Sequence, residues 1–457
     1  MEHNLLCTPA EMVAHEPLER TACDFSNKNT VFRVETRKYS QQYAQIYNAR
    51  MKGIRERLEQ TAEKKWGIKP LVEIASIIEG ERCCIVGNIF KDMRLKPSVL
   101  RELSEDHHLI PLPPRKKYTE QEDYLILEDH SLRLTLITDQ TDTDTLVTGV
   151  PVVIVGCQEN RGRFKVEELA YASILGPELS IPIPDDKYLL LVSGLNVGGA
   201  NTDMLSLELL IDHLTGCGGG IQDSEIMSKV CHVIIAGNLI ADKYVRIGKD
   251  RNQTVSTLES VSTADSYLSR MVTSLQVTLM PGTNEPGNIT LPQQPLYEPM
   301  FPKSISYSTL NMVTNPNSMS IDGRTLLGTS GQNIDNIYKF CTTEDRMAIL
   351  ESTLKWGHMA PTAPETLSCY PYDHSHLEPF IIQQLPNIYF AGNQPEFKFK
   401  YYEPEGESTL LILVPDFSIV NTCVLVNLKN LECHSMSFAT QLNSNGDDNN
   451  NPIPMEM

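Results

Sequence analysis

A chain of 457 residues, 41% hydrophobic and 21% charged, has the balance of a folded globular protein and enough length for two cores. Its formal net charge of −19 argues against a protein whose main work is to grip phosphate backbones, since that work calls for a basic excess, and it favours protein partners. The longest apolar runs, such as Tyr188–Val192 and Leu410–Val414, are strand-sized and far too short to cross a bilayer, so no membrane partner is expected.

The amino-terminal Met1-Glu2-His3-Asn4 lacks the basic and apolar regions of a secretory signal. The 11 cysteines include no C-x-x-C pair, so neither a disulfide framework nor a zinc site is expected, and reduced thiols in an intracellular protein are the simpler reading. Residues 1–38 are mixed polar, with Pro9 and Pro17, and read as a flexible segment. A helical pattern follows: Tyr43, Ile46, Tyr47, Met51, Ile54 and Leu58 recur at three- and four-residue steps, with Arg50, Arg55, Arg57 and Glu59 between them. Such a helix either packs on its own domain or offers its face to a partner.

Short strands come next, at Leu71–Ile78, Arg82–Phe90, Tyr124–Glu128, Leu132–Thr138, Pro151–Gly156 and Phe164–Glu167. Five or six such strands fit a small closed barrel of the OB type, which together with the helix spans residues 39–181. The barrel strands are poor in the aromatics that stack single-stranded nucleic acid, and the basic cluster Arg115–Lys117 reads as a solvated loop. DNA contact is therefore expected to be weak at most.

The Pro-rich joint Ile181-Pro182-Ile183-Pro184 opens a second domain over residues 182–440. Strand-like Tyr188–Ser193 and Val230–Ala236 alternate with helical Asp203–Leu214 and Ser262–Leu275, the pattern of an α/β layered fold. Strands return at Asn387–Ala391, Thr409–Val414 and Thr422–Leu428. Phe397-Lys398-Phe399-Lys400-Tyr401 reads as a plain two-faced strand, and Asp373-His374-Ser375-His376 as a surface loop despite its metal-like composition. The glycines from Gly194 to Gly199 do not match G-x-G-x-x-G and imply no dinucleotide cofactor. Residues 441–457, acidic and Asn-rich, read as a disordered tail.

Four segments of the second domain sit where a two-metal phosphoesterase carries its metal loops: Leu191–Leu195, Ala236-Gly237-Asn238, Pro281–Glu285 and Ala391–Pro395. An active enzyme would read D-x-H, G-D-x-x-D, G-N-H-D/E and G-H-x-H there, because two dications need carboxylates and imidazoles at short range. Here Ser193, Asn238 and Asn393 are neutral and weak ligands, and Leu195 and Pro395 offer no donor atom. Thr283 and Asn284 take the place of an Asn-His pair, and no histidine lies between His232 and His358. Glu285 alone cannot hold two ions. These seven degenerate positions imply a phosphoesterase fold kept for its shape, with no catalytic, metal or cofactor-binding residue. A divergent metallophosphoesterase and a single-strand-binding OB protein remain the alternatives.

The chain resembles the small (B) subunit family of replicative DNA polymerase delta from about Phe32 to Phe438. The resemblance is carried by Leu279-Met280-Pro281-Gly282, Thr290–Leu296, Met300-Phe301-Pro302, Val313-Thr314-Asn315-Pro316, Ile321-Asp322-Gly323 and Leu327–Asn333. Pro361–Pro364, Val414–Phe417, Phe90–Met93 with Lys96-Pro97-Ser98, and Leu127-Glu128-Asp129 add to it, while Thr283-Asn284-Glu285 departs from the acidic and aromatic residues expected after Gly282. It implies an OB-fold barrel joined to an inactive calcineurin-like metallophosphoesterase domain, a layered β-sandwich flanked by helices. It further implies a nuclear scaffold in DNA replication and repair that binds the C-terminal domain of the polymerase delta catalytic subunit. The third subunit, which links the complex to the sliding clamp, is a second implied partner, and the translesion polymerase zeta catalytic subunit a further one.

Overall fold

The computed structural model describes residues 18–34, 43–97, 115–138, 140–160, 162–178, 182–200, 202–218, 220–241, 251–371, 378–404 and 406–439. In chain order the first elements are β1 (Phe25–Asn27), α1 (Ala44–Trp66), β2 (Arg82–Asp92), β3 (Tyr124–Glu128), β4 (Arg133–Ile137), α2 (Gln140–Thr145), β5 (Pro151–Asn160) and β6 (Arg163–Ala170). Then come β7 (Tyr188–Val192), α3 (Met204–Leu214), α4 (Ile221–Ser228), β8 (Val230–Ala236), α5 (Arg251–Val272), β9 (Gln276–Met280), β10 (Leu310–Met312), β11 (Asn317–Ile321) and β12 (Arg324–Thr329). The last are α6 (Gln332–Phe340), α7 (Arg346–Lys355), β13 (Ile388–Gln394), β14 (Lys398–Tyr402), β15 (Thr409–Pro415), α8 (Phe417–Val420), β16 (Thr422–Asn427) and β17 (Cys433–Ser437).

Strands β2 to β6 close into a five-stranded barrel in the order β2-β3-β4-β6-β5. Alternation decides which side chains fill it: Leu134 and Leu136 of β4 are buried while Arg133 and Ile137 face outward. The long strand β2 serves both neighbours, pairing its first half with β5 and its second with β3. At the crossover stands Gly87, where a Cβ would come within 2.8 Å of the Glu128 carbonyl and 2.7 Å of Leu127 Cγ, so only glycine lets the strand curl there. The segment Leu71–Ile78, expected as a strand, is instead a single helical turn at Ile74–Ser76. Its Ile74 N–H is taken by the Asp129 carboxylate at 2.7 Å, a local bond that replaces a strand ladder.

The rest of the chain forms two six-stranded sheets, β1-β11-β12-β13-β15-β14 and β10-β9-β8-β7-β16-β17. Their central strands, such as β15, are apolar on both faces, as strands covered on both sides must be. In β15, Leu410, Ile412 and Val414 pack between the sheets while Leu411 and Leu413 face the other way. In β8, Val233 and Ile235 pack with Leu207, Leu210 and Ile211 of α3 and Leu268 of α5. Helices α6 and α7 cover the first sheet through Ile334, Ile337, Leu350 and Leu354. The result is the layered sandwich flanked by helices that the sequence led us to expect.

Residues 18–34 correct one expectation, since they belong to the segment read as flexible. Strand β1 pairs antiparallel with β11. Arg20 donates to the carbonyls of Leu214, Met227 and Val230 at 2.6, 2.9 and 3.0 Å, satisfying carbonyls left open where α3 and α4 end. The tail 441–457 and the segment Asp373–His376 lie outside the described residues.

One side chain joins the barrel to the sandwich. Arg50 of α1 is fully buried and spends every donor of its guanidinium. It meets both Glu378 oxygens, at 2.9 and 2.7 Å, and donates to the carbonyls of Gly149 at 2.7 Å, Pro361 at 2.8 Å and Ala363 at 2.7 Å. Gly149 is at the mouth of the barrel, and its φ of 90° and close approach to Arg50 and Pro361 leave no room for a Cβ. His358, also buried, accepts the Ala360 N–H on Nδ1 at 3.2 Å, and its Nε2 lies 3.0 Å from Glu378 Oε1. A second link closes the far side of the junction. Lys91 Nζ donates to Phe340 O at 3.3 Å, and Lys117 Nζ donates to Cys341 O at 3.0 Å and Thr343 O at 2.7 Å, so two barrel lysines cap the carboxyl end of α6. Lys117 is therefore no solvated loop residue.

Arg50→Ala leaves the Glu378 carboxylate buried and unpaired and is expected to cost about 3–5 kcal/mol in urea unfolding, with Arg50→Lys nearly as damaging because an ammonium lacks the five-donor fork. The junction also sets an acid limit. Burial pushes His358 down to about 4, so the unfolded chain binds more protons than the folded one from the ordinary histidine value down to that point. Glu378, although burial opposes it, is held down to about 2 by Arg50 and His358, so its contribution is present above the usual carboxylate range and is lost on the way to that value. The buried Glu285 carboxyl works the other way, since burial raises it to about 7 and its proton favours the folded chain as pH falls. The histidine contribution is therefore read as a difference: in urea unfolding from pH 6.5 down to 4, the natural chain should lose stability relative to His358→Gln.

The candidate site at the strand ends

The four degenerate segments are brought together by topology. Strands β7, β8 and β9 run parallel in one sheet and β13 is parallel to β12 and β15 in the other, so the loops after β7, β8, β9 and β13 emerge at one edge of the sandwich. Glycines let those loops touch. A Cβ on Gly282 would run into Asn238, one on Gly237 would lie 2.6 Å from Ser330 Cβ, and one on Gly392 would lie 3.1 Å from Ser193 Cβ. Asn196, Asn238 and Asn393 take left-handed backbone at φ 44°, 56° and 55°, a conformation that asparagine tolerates better than other side-chain-bearing residues.

Ser193 donates to Pro415 O at 2.9 Å and accepts the Asn393 N–H at 2.8 Å. Asn393 gives its amide hydrogens to Ala236 O at 3.1 Å and Ser330 O at 2.9 Å. Asn238 Oδ1 accepts the Asn284 N–H at 3.1 Å and the Thr283 hydroxyl at 3.4 Å, and Asn284 in turn donates to Asn196 Oδ1 at 2.9 Å. Ser193 and Asn393 therefore form one hydrogen-bonded group, and Asn238, Thr283 and Asn284 form a second with Asn196. Leu195 is buried in the core under α3, and Pro395 is exposed beyond the end of β13, so neither joins them.

Glu285 is the one carboxylate among the former ligand positions, and its oxygens are committed to backbone. Oε1 accepts the Leu239 N–H and Oε2 the Gly282 N–H, both at 2.6 Å. Burial pushes its carboxyl up to about 7, against the pull of those N–H groups. Behind it, Gln293 donates to Gly282 O at 2.6 Å, Asn315 donates to Gln293 Oε1 at 3.0 Å and to the Ser330 hydroxyl at 2.6 Å, and Gln332 adds a 3.0 Å bond to Gln293 Oε1. Sequence reasoning did not assign roles to Gln293, Asn315 or Ser330, although each lies in a motif that carried the family resemblance.

The chemistry available here is that of amides, hydroxyls and backbone. Among the described residues no three His, Cys, Asp or Glu side chains gather to hold a metal ion. The side chains of Ser193, Asn238, Asn284 and Asn393 already hold backbone or one another, and neutral oxygens cannot offset the charge of two dications. Elsewhere, β14 is the edge strand expected to have two faces: Phe399 and Tyr401 lie exposed on one, while Lys400 on the other pairs with Glu351 at 2.6 Å.

Comparison with known proteins follows the same division. A family model described as the DNA polymerase delta subunit OB-fold domain matches residues 42–169, and one that describes the B subunits of DNA polymerases alpha and epsilon matches residues 189–399. The DNA polymerase delta small subunit of Arabidopsis thaliana is 39% identical over 432 residues, covering 93% of this chain and 98% of that one. DNA polymerase delta subunit 2 of Drosophila melanogaster is 34% identical, with 92% and 98% covered, and the small subunit of Saccharomyces cerevisiae is 32% identical, with 90% and 93% covered. A solved archaeal phosphodiesterase aligns with 55% of this chain and 98% of its own at 11% identity and a TM-score of 0.28, a likeness too low to bear on chemistry.

The Ser193 and Asn393 group makes a sharp forecast for Asn393→Asp. A carboxylate there would face two carbonyls in place of donating to them, at a cost of about 3 kcal/mol. Urea unfolding with and without Mn2+ should show the same loss in both; recovery with the metal would reveal a latent ion site.

Proposed function

The chain belongs to the DNA polymerase delta small-subunit family, and from that premise we propose that it is the non-catalytic scaffold of a nuclear DNA polymerase delta assembly. It binds the C-terminal domain of the catalytic subunit and the third, clamp-linking subunit, and holds both in one particle that serves replication and repair. The polymerase zeta catalytic subunit is a second client of the same surface. The sliding clamp is reached only through the third subunit, and DNA is touched weakly at most, as the net charge of −19 favours.

The observation that carries this reading is the state of the strand-end loops. Residues that would act in an active relative are here cross-linked to backbone by neutral amides, and the one carboxylate, Glu285, clamps two N–H groups. A site of that kind stiffens a scaffold and does no hydrolysis. The buried Arg50 junction supports the same reading, because it fixes the angle between barrel and sandwich. Partners docked on such a body are held at high effective concentration, so the polymerase stays beside its clamp without any chemistry from this subunit.

Co-expression with the C-terminal domain of the polymerase delta catalytic subunit should yield a stable stoichiometric complex, and two folded chains that do not associate would overturn the proposal. In primer extension with the clamp present, omitting this subunit should shorten products per binding event while leaving the rate of single-nucleotide incorporation nearly intact. The purified chain should release no product from phosphodiester substrates with or without Mn2+.

A further inference from the structure

A thiol pair beside a buried histidine lies far from the strand-end loops, at the point where residues 18–34 cross the sandwich. Cys23 immediately precedes β1 and is only partly buried. Its Sγ lies 3.7 Å from Cys231 O and 4.0 Å from His232 Nδ1, the Cys231 thiol lies 3.4 Å from Tyr188 O, and Cys23 packs against the buried cluster that holds Cys231. The register between β7 and β8 slips here, from Tyr188 opposite Val230 to Leu189 opposite His232, so Cys231 is the extra residue of a bulge. That bulge sets Cys231 and His232 side by side against Cys23.

The surroundings hold this arrangement rigidly. On one side of Cys23, Lys187 donates to Ala22 O at 2.9 Å and to Asp322 Oδ2 at 2.7 Å. On the other, the Asp24 N–H donates to Asp322 Oδ1 at 2.8 Å. Phe25 stacks on the His232 ring with centroids 4.9 Å apart. His232 Nε2 is 2.7 Å from the Thr278 hydroxyl, and with the ring hydrogen given to Thr278 the Nδ1 lone pair faces the Cys23 thiol. Cys231 and then His232 hold Cys23 well below the ordinary thiol range against its burial, while Cys231 is raised above it.

We propose that Cys23 and Cys231 form a peroxide-responsive dithiol site, in which Cys23 is the attacking thiol, His232 its proton acceptor and Cys231 the resolving thiol. His232 Nδ1 takes the Cys23 proton. The thiolate attacks the terminal oxygen of a hydroperoxide, the O–O bond breaks, and the leaving oxygen takes the proton from His232 and departs as water or an alcohol. Cys23 is oxidised by two electrons to the sulfenic acid. The Cys231 sulfur then attacks the Cys23 sulfur, and the hydroxyl leaves with the Cys231 proton as water. In sum, two thiols and one hydroperoxide give a disulfide, water and the reduced peroxide. The bond staples the amino-terminal strap to β8.

The test is peptide mapping of the full-length chain under non-reducing conditions after equimolar hydrogen peroxide. The Cys23–Cys231 cross-linked peptide should accumulate before the exposed Cys217 is modified. With iodoacetamide at neutral pH, Cys23 should react about tenfold faster than Cys217, the advantage of a lowered thiol discounted for its burial and weaker nucleophilicity. In Cys231→Ser, Cys23 should stop at the sulfenic acid and be trapped by dimedone. Oxidation of Cys217 ahead of Cys23, or oxidation of Cys23 without the cross-link in the natural chain, would overturn the proposal, and both are read without any variant.

Discussion

Arg50 is the constraint on which the rest of the molecule depends. A guanidinium cannot shed its charge, so a buried one must find partners for every N–H. Those partners come from three places: the barrel at Gly149, the Pro361–Ala363 segment, and Glu378 beyond it. Gly149 is far in sequence from the other two, and none can move without stranding a buried charge. Helix α1 thereby becomes a rod whose outer turns pack on the barrel through Ile54 and Leu58 while its middle is bolted to the sandwich. The lysine caps on α6 then fix a second point, and two points set an orientation that one alone would leave free.

The strand-end loops show the same economy of partners on a neutral scale. A cluster of carboxylates and imidazoles holds together only around ions, since bare like charges repel. Replacing those ligands with amides and hydroxyls allows the loops to close directly on one another. Asn238 accepts a backbone N–H, Asn284 donates to Asn196, and Asn393 donates to two backbone carbonyls. The retained Glu285 fits this logic because backbone N–H groups, and not metal, now surround it. The loops thus form a clasp between the two sheets.

Much of this is legible in the chain. Val230–Ala236 is located to the residue because a strand buried on both faces reads as an apolar run, here interrupted only by His232. Helix α5 is read too late, from Ser262, because its first turn Arg251-Asn252-Gln253-Thr254 carries no apolar stripe. Strand β11, Asn317-Ser318-Met319-Ser320-Ile321, escapes a propensity reading because asparagine and serine are poor strand formers and only its alternate residues reach the core. Arg50 reads as part of a polar face, since nothing in a local window announces that three distant carbonyls and a glutamate converge on it. The convergence of Ser193, Asn238, Asn284 and Asn393 is legible from strand order alone, whereas Gln293 and Asn315 enter through long loops whose paths no periodicity encodes.

Buried polar contacts are an expensive way to hold two domains if stability is all that is at issue, because well-packed apolar residues of equal volume do as well or better. Their advantage is directional. An apolar interface tolerates small slides, while a guanidinium that must meet five acceptors tolerates almost none. On the scaffold reading proposed above, that distinction is the functional one: a slide of the barrel on the sandwich would misplace any partner docked across both. The loop clasp serves the same end, since open loops at the edge of the sandwich would soften the surface around them. Rigidity obtained through buried polar contacts makes that shape a property of the chain's own side chains and backbone.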